Sequence, residues 1–216
     1  MLTGQVISVI LVDDHPVVRD GYRRLLEQES NIKVIAEADS GEVACDLYKQ
    51  YSPDVIVLDI TMPGIGGLET MRRIKAFDPK AHILVFSMHS NEIMIQRAIE
   101  GGATGYLTKQ SGMGQMVLAV LQVAQGKMYI DADHVTSLAN HNFSDVSADP
   151  VRILSAREFQ LFQLMAEGNS VVEISNMLSI SAKTVGVHHT NIMKKLGLQN
   201  PSQLVRLAIL CNIIEP

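Results

Sequence analysis

The stretch Val55-Ile-Val-Leu-Asp59-Ile-Thr-Met-Pro-Gly-Ile-Gly-Gly67 decides how the rest of the chain is read. Four consecutive apolar residues predict a buried strand over 55–58, and Met62-Pro63-Gly64 stops it, which leaves Asp59 at the strand's carboxyl end. In open α/β sheets that edge is where ligands bind, so Asp59 is either a reactive carboxylate or a loop aspartate capping the next helix. From this segment alone the two readings stand level.

Working outward, residues 6–12 form another apolar run, broken only by Ser8, and it ends in Asp13-Asp14-His15-Pro16. That reads as a buried strand and then an acidic turn. Val17, Val18, Tyr22, Leu25 and Leu26 then keep a helical period, with Pro16 suited to the first turn. The alternation repeats: strand 33–38, helix 41–51, strand 55–58, helix 68–77, strand 82–86, helix 92–100, strand 105–107, helix 113–124. Five such units with short connections predict an α/β domain built on a five-stranded, doubly wound parallel sheet, the flavodoxin-like arrangement. Continuous Val/Ile/Leu runs are what central parallel strands show whatever a protein does, so they carry the fold and nothing more.

Composition bounds the rest. The chain has 216 residues, long enough for two small domains or one large one, and 47% of them are hydrophobic, which provides ample core. No apolar run approaches the roughly eighteen residues of a membrane span, and the first residues lack the basic region of a signal peptide, so a cytoplasmic location is expected. Cys45 and Cys211 show no metal-ligand spacing and read as reduced, structural thiols. The net charge of -5 conceals an asymmetry: residues 151–216 carry 6 Lys and Arg against 4 Asp and Glu, and only that part is positive. A mildly basic end on an acidic body is compatible with nucleic-acid binding.

The residues at the ends of the predicted strands are more informative than the strands. Asp13 and Asp14 come directly after the first, Asp59 ends the third, Ser87 ends the fourth and Lys109 lies just past the fifth. A right-handed doubly wound sheet gathers all of these positions at one edge. Close carboxylates repel unless a cation is bound, so the cluster predicts a divalent metal, and an oxygen donor set favours Mg²⁺ over Zn²⁺. Such a pocket suits transfer of a phosphoryl group onto a carboxylate, with a hydroxyl and an ammonium receiving the phosphoryl oxygens. His15 adjoins the acids as a lone histidine and reads as structural.

These residues carry a family resemblance. Leu11-Val12-Asp13-Asp14-His15, Leu58-Asp59-Ile60-Thr61-Met62-Pro63-Gly64, Ser87, and Gly102-Ala103-Thr104-Gly105-Tyr106-Leu107-Thr108-Lys109 together make residues 6–126 resemble the receiver domain of bacterial two-component response regulators. The resemblance implies that Asp59 is the phosphoacceptor and that Asp14, Asp59 and the backbone carbonyl of Thr61 bind Mg²⁺, with Asp13 helping through water. It also implies that Ser87 and Lys109 contact the phosphoryl group, and that Tyr106 is a switch aromatic expected to turn inward as they move.

Residues 127–150 lose the alternation and read as a linker, with a short amphipathic helix over 131–139. From residue 153 onward the pattern is all-helical. Ser155 with Glu158 three residues later forms a capping box ahead of Phe159 and Phe162, and that helix stops at Gly168-Asn169. A helix over 171–178, the turn Ser179-Ile180-Ser181 and a helix running to about 196, ended by Gly197, make a helix-turn-helix; a fourth helix spans 202–211. The third helix of this set carries Lys183, Thr184, Val187, His188, His189, Thr190, Asn191, Lys194 and Lys195, which are either phosphate and base contacts or a solvated face.

Residues 154–208 resemble the LuxR-type helix-turn-helix through Ser155, Arg157-Glu158, Ser170, Glu173-Ile174, Ser181, Lys183-Thr184-Val185, His188, Asn191-Ile192 and Lys195-Leu196-Gly197. The division expected is receiver 1–127, linker 128–150 and DNA-binding domain 151–216. Together the two resemblances imply a response regulator of the NarL/FixJ subfamily. Its partners would be a sensor histidine kinase, double-stranded DNA and a second copy of itself, with no membrane and no turnover of an outside substrate. Thr61 stands where an aspartyl phosphatase wants a second acid, and Asp13-Asp14-His15 has the wrong charge for a dinucleotide phosphate loop. The rival is a response regulator whose output domain binds protein. Gly186 and Val172 replace common lysines and would lower DNA affinity and flatten its salt dependence.

Overall fold

The computed structural model describes residues 6–131 and 150–214. They fall into two compact units, one within Met1–Leu138 and one within Ala139–Pro216. The first unit runs β1 (Ile7–Val12), α1 (Pro16–Leu26), β2 (Ile32–Ala38), α2 (Gly41–Tyr51), β3 (Val55–Leu58), α3 (Gly66–Phe77), β4 (Ile83–Ser87), α4 (Glu92–Glu100), β5 (Gly105–Thr108), α5 (Met113–Val123) and β6 (Tyr129–Ile130). The sheet order is β2-β1-β3-β4-β5-β6 and each pairing is parallel.

Every residue of β3, β4 and β5 is buried, because helices cover both faces of the central sheet. On one face Val9, Leu11, Val57, Leu84, Phe86 and Leu107 pack with Leu26 of α1 and with Met116, Ala119, Val120 and Val123 of α5. Those four α5 residues keep the i, i+3, i+4, i+7 spacing of an apolar stripe. Ile10, Ile56, Leu58 and Val85 point the other way by the period-two alternation, and α2 and α3 pack together on that side with Ala44, Tyr48, Met71 and Ile74 buried. Each buried Val, Leu, Ile, Phe or Met among them contributes roughly 1.5–3 kcal/mol.

One expectation needs correction. The sheet has six strands where the sequence predicts five, because Tyr129 and Ile130 pair with Gly105 and Tyr106. Two residues are too short to show a period, so the sixth strand is invisible in the residues assigned to the linker. The helix expected over 131–139 lies outside the described residues, apart from Asp131, which is buried and comes directly after β6.

The second unit has helices α6 (Ala156–Ala166), α7 (Val171–Met177), α8 (Ala182–Leu196) and α9 (Pro201–Leu210). Its core gathers Val151, Leu154, Phe159, Phe162, Ile174, Val185, Ile192, Leu204 and Ala208, each almost fully buried. The capping box of Ser155 and Glu158 is present. A second one, Ser170 with Glu173, starts α7 with the same Ser-x-x-Glu spacing. Ser181 caps α8 by accepting from the Thr184 N–H, and Gly197 ends it at φ 66°. Both cysteines are free thiols, Cys45 buried and Cys211 half-buried. Among the described residues no helix is long and apolar enough to cross a membrane.

Gly186 sits inside α8, and a Cβ built on it meets nothing within 4 Å. Gly186→Ala is therefore expected to stabilise the second unit by about 1 kcal/mol through helix propensity alone. Chemical denaturation of the two proteins side by side checks it, and an unchanged or lowered midpoint contradicts it.

Candidate functional site

The register of the sheet assembles the site. Val12 of β1 is opposite Leu58 of β3, so the next residues, Asp13 and Asp59, stand side by side. The ladder continues past the strands, with Asp59 N donating to the Val12 carbonyl at 2.9 Å and Asp13 N to the Ala38 carbonyl at 3.1 Å. On the other side Ser87 is opposite Thr108, and Lys109 N donates to the Ser87 carbonyl at 2.8 Å. Residues far apart in sequence thus reach one sheet edge through backbone pairing.

Their side chains converge there. Lys109 Nζ donates to Asp13 Oδ2 at 2.5 Å and to Asp59 Oδ2 at 2.7 Å. All three side chains are buried, Asp59 at only 3% exposure. The Lys109 ammonium also lies 5.7 Å from the centre of the Phe86 ring. Burial pushes the Asp59 carboxyl above the ordinary range and the Asp13 charge adds to this, while Lys109 and the Thr61 N–H oppose it. Burial works to lower the Lys109 ammonium, but the carboxylates of Asp59 and Asp13 outweigh it and leave it raised. The cation therefore keeps its charge between the two acids.

The alternative reading of Asp59 as a helix cap is removed. The N-cap of α3 is Ile65, and that helix has no side-chain cap hydrogen bond. Asp59 Oδ1 instead accepts from the Thr61 N–H at 3.0 Å. The loop from Asp59 to α3 is tight, since Gly67 N donates to the Ile60 carbonyl at 3.0 Å. A Cβ on Gly67 would lie 2.1 Å from the Asp59 carbonyl oxygen, so only glycine fits.

Asp14 lies beside this pair, and its Oδ1 is buried with no hydrogen-bond partner. Asp13, Asp14, His15 and Asp59 each place one ligand atom within 4.8 Å of the others. An unsatisfied buried carboxylate oxygen in a cluster of acids fits a divalent cation.

Ser87 is fully buried, and its Oγ accepts from the His89 N–H at 3.2 Å. Tyr106 donates its hydroxyl to the His89 carbonyl at 2.8 Å. The ring is fully buried, so in this structure it lies inward. Burial holds it there with its hydroxyl satisfied, and raises the hydroxyl's pKa against a hydrogen bond with Ser87.

Two buttresses leave no mark in the sequence. Arg19 Nη1 donates to the Asp13 carbonyl at 2.5 Å while its Nε reaches Glu37 at 3.3 Å. Beyond Lys109, Thr108 Oγ1 and Ser111 Oγ share a hydrogen bond of 2.8 Å, and Ser111 Oγ donates to buried Asp131. Neither has a local signature, because each joins residues from different elements.

In the second unit α8 turns Val185 and Ile192 into the core and leaves Lys183, Thr184, Val187, Thr190, Asn191 and Lys194 exposed, with His188 and His189 half-buried. Lys195 is different: its Nζ lies 2.7 Å from Glu158 Oε2, the capping-box residue of α6. Burial works to raise the Glu158 carboxyl, but Lys195 and Ser155 outweigh it and hold the group below its usual range. Thr190 Oγ1 donates to the Gly186 carbonyl at 3.0 Å, back-bonding within the helix.

Residues 9–121 match the response regulator receiver domain family. Residues 152–208 match the luxR family of bacterial regulatory proteins. The chain is 35% identical over 216 residues to the oxygen regulatory protein NreC of Staphylococcus aureus, covering 97% of this chain and 100% of that one. A LuxR-family two-component response regulator from Aurantimonas sp. SI85-9A1 is 40% identical with a TM-score of 0.61, over 63% of this chain and 97% of that one. RcsB from Salmonella enterica serovar Typhimurium, solved on promoter P1flhDC with the phosphomimetic BeF3-, is 26% identical with a TM-score of 0.66, over 93% of this chain and 97% of that one.

Replacing Lys109 by Met strands two buried carboxylates, and the expected destabilisation is roughly 3–5 kcal/mol near neutral pH. Losing the cation raises the Asp59 carboxyl further, so the folded variant holds a proton that the unfolded chain releases. Its stability is then lost as pH rises from the ordinary carboxylate value to the raised one, and regained on acidification through that window. Unfolding curves across that range test this; a deficit that does not shrink with acid rules out charge as the cause.

Proposed function

The chain belongs to the response regulators of the NarL/FixJ subfamily, DNA-binding transcription regulators that join a receiver to a LuxR-type domain, and from that premise we propose that Asp59 accepts a phosphoryl group from the phosphohistidine of a sensor histidine kinase. The observation that carries this is the ammonium of Lys109 held between buried Asp13 and Asp59, with Ser87 at the same sheet edge. The P–N bond of the donor breaks as a P–O bond to the Asp59 carboxylate forms, and the leaving imidazole keeps its electron pair and takes up a proton. Lys109 shifts from the carboxylates to a phosphoryl oxygen, and the Ser87 hydroxyl donates to another.

Asp13, Asp14, Asp59 and the carbonyl of Thr61 would hold Mg²⁺, the oxygen-only set that this ion takes. When bound, Mg²⁺ neutralises charge on the phosphoryl oxygens. The phosphoryl group itself adds about -1.5 to -2 charges. Because Tyr106 is already inward, the response starts at the Ser87–His89 turn, where both the Ser87 hydroxyl and the Tyr106 hydroxyl are engaged. We assign residues 1–127 with β6 to the receiver and 151–216 to the DNA-binding module, acting in the cytoplasm and pairing with a second copy on phosphorylation or on DNA. No outside substrate is turned over.

On DNA, Lys183, Thr184, Val187, His188, Thr190, Asn191 and Lys194 are the contacting residues, and Lys195 contributes by bracing α8 on α6. The RcsB promoter complex supports a DNA output over the protein-binding rival. Phosphotransfer is expected to label the wild-type chain and not Asp59→Asn, and promoter footprints should strengthen with a phosphodonor in the wild type only. Equal labelling of the Asn variant would sink the acceptor assignment; identical footprints would sink the coupling. For the interface, Lys183→Ala and Lys194→Ala should each reduce the slope of log affinity against log salt by about 1. Lys195→Met should instead lower the unfolding midpoint of the second unit and leave that slope nearly unchanged.

A further inference from the structure

Resting on the reading of Asp59 as the phosphoacceptor, we infer that the hydrogen bond from Ser111 to Asp131 is a restraint that phosphorylation releases, freeing β6 where the chain leaves the receiver. Lys109 sits in the turn Thr108 to Ser111, closed by Ser111 N donating to the Thr108 carbonyl at 3.1 Å. The side chains of the same two residues close it again, with Thr108 Oγ1 and Ser111 Oγ 2.8 Å apart. The Ser111 hydroxyl proton goes to Asp131, so Thr108 is the donor of that pair. A displacement of Lys109 is therefore passed to Ser111.

This turn is held from opposite sides. The sheet order is β2-β1-β3-β4-β5-β6, so Lys109, which follows β5, reaches across β4 to Asp59 and Asp13 beyond the ends of β3 and β1. Ser111 reaches the other way, to Asp131 directly after β6. Asp131 is only 9% exposed. Its carboxylate has given up hydration, and the Ser111 hydroxyl offsets part of that cost.

β6 depends on this contact. It has 2 half-buried residues at the edge of the sheet. Tyr129 N donates to the Thr104 carbonyl at 3.2 Å and Asp131 N to the Tyr106 carbonyl at 3.3 Å, both at the long end of the hydrogen-bond range. A strand this short is marginal by itself. Side chains hold its two ends, with the Tyr129 hydroxyl donating to Gln115 of α5 and Asp131 accepting from Ser111.

A phosphoryl group on Asp59 adds negative charge on the side of the turn away from Asp131. It draws the Lys109 ammonium toward β3, the turn follows, and the Ser111–Asp131 bond is pulled apart. β6 thus has a docked and a released arrangement, and the phosphoryl group favours the second. Linkage is reciprocal, so releasing β6 must also favour the phosphorylated state.

The test uses the full chain and its Ser111→Ala, Asp131→Ala and Asp131→Asn variants, each in Mg²⁺ with and without beryllofluoride as the phosphoryl mimic. Amide hydrogen exchange reports Tyr129 and Asp131, and fluorine NMR titration reports beryllofluoride affinity. In the wild type, beryllofluoride is expected to speed exchange of both amides about fivefold or more, the worth of one hydrogen bond. In the two alanine variants these amides exchange fast from the start, and beryllofluoride binds more tightly by a similar factor. Asp131→Asn keeps an acceptor oxygen and follows the wild type. β6 amides that ignore bound beryllofluoride in the wild type overturn the proposal, as do alanine variants that bind it no more tightly. An asparagine variant that behaves like the alanine one overturns it too. Failure of the underlying reading looks different: beryllofluoride does not bind the wild type at all, and the restraint falls with the phosphoacceptor.

Discussion

A single ammonium between two buried carboxylates is the constraint on which the receiver unit depends. Asp13 and Asp59 are neighbours because β1 and β3 pair in parallel, and the pairing that buries Val12 and Leu58 also forces two negative charges together. Lys109, delivered by β5, offsets part of that repulsion. One positive charge cannot balance Asp13, Asp14 and Asp59, so the site is left with an excess of negative charge that fits a divalent cation.

Rigid backbone surrounds this charge cluster. Gly67 lets α3 approach the Asp59 carbonyl, where a methyl group would clash, and the Arg19 guanidinium holds the Asp13 carbonyl from α1. On the far side, the turn after β4 carries two hydrogen bonds at one residue: the His89 N–H donates to Ser87 and its carbonyl accepts from Tyr106. A change at the Ser87 hydroxyl must therefore act on the same turn that fixes the Tyr106 ring. Packed interiors transmit such shifts because they have no slack to absorb them.

The second unit solves a different problem with short helices. α7 has only 7 residues, too few to be stable alone, and its capping box and the buried Ile174 hold it in place. Glu158 serves twice, closing the capping box of α6 and binding Lys195 of α8, so one carboxylate fixes both a helix start and the orientation of the exposed face. That face keeps its remaining cations, Lys183 and Lys194, in solvent.

Much of this was legible in the residues themselves. Apolar runs and helical periods identify the alternating elements because burial against neighbours on both sides demands them, and the bounds of α2, β3 and α4 agree with those read directly from the chain. The acids, Ser87 and Lys109 could be assigned to one edge because a parallel sheet places all strand ends together. Tertiary structure alone decided the rest. It added β6, whose two residues have no period, and it removed the capping reading of Asp59 by giving α3 a different N-cap. It also placed Tyr106 inward and tied Lys195 to Glu158. The physical reason is common to all of these. Local sequence sets which conformation a segment prefers, whereas the partner of a polar side chain is set by backbone pairing and helix packing between segments distant in the chain.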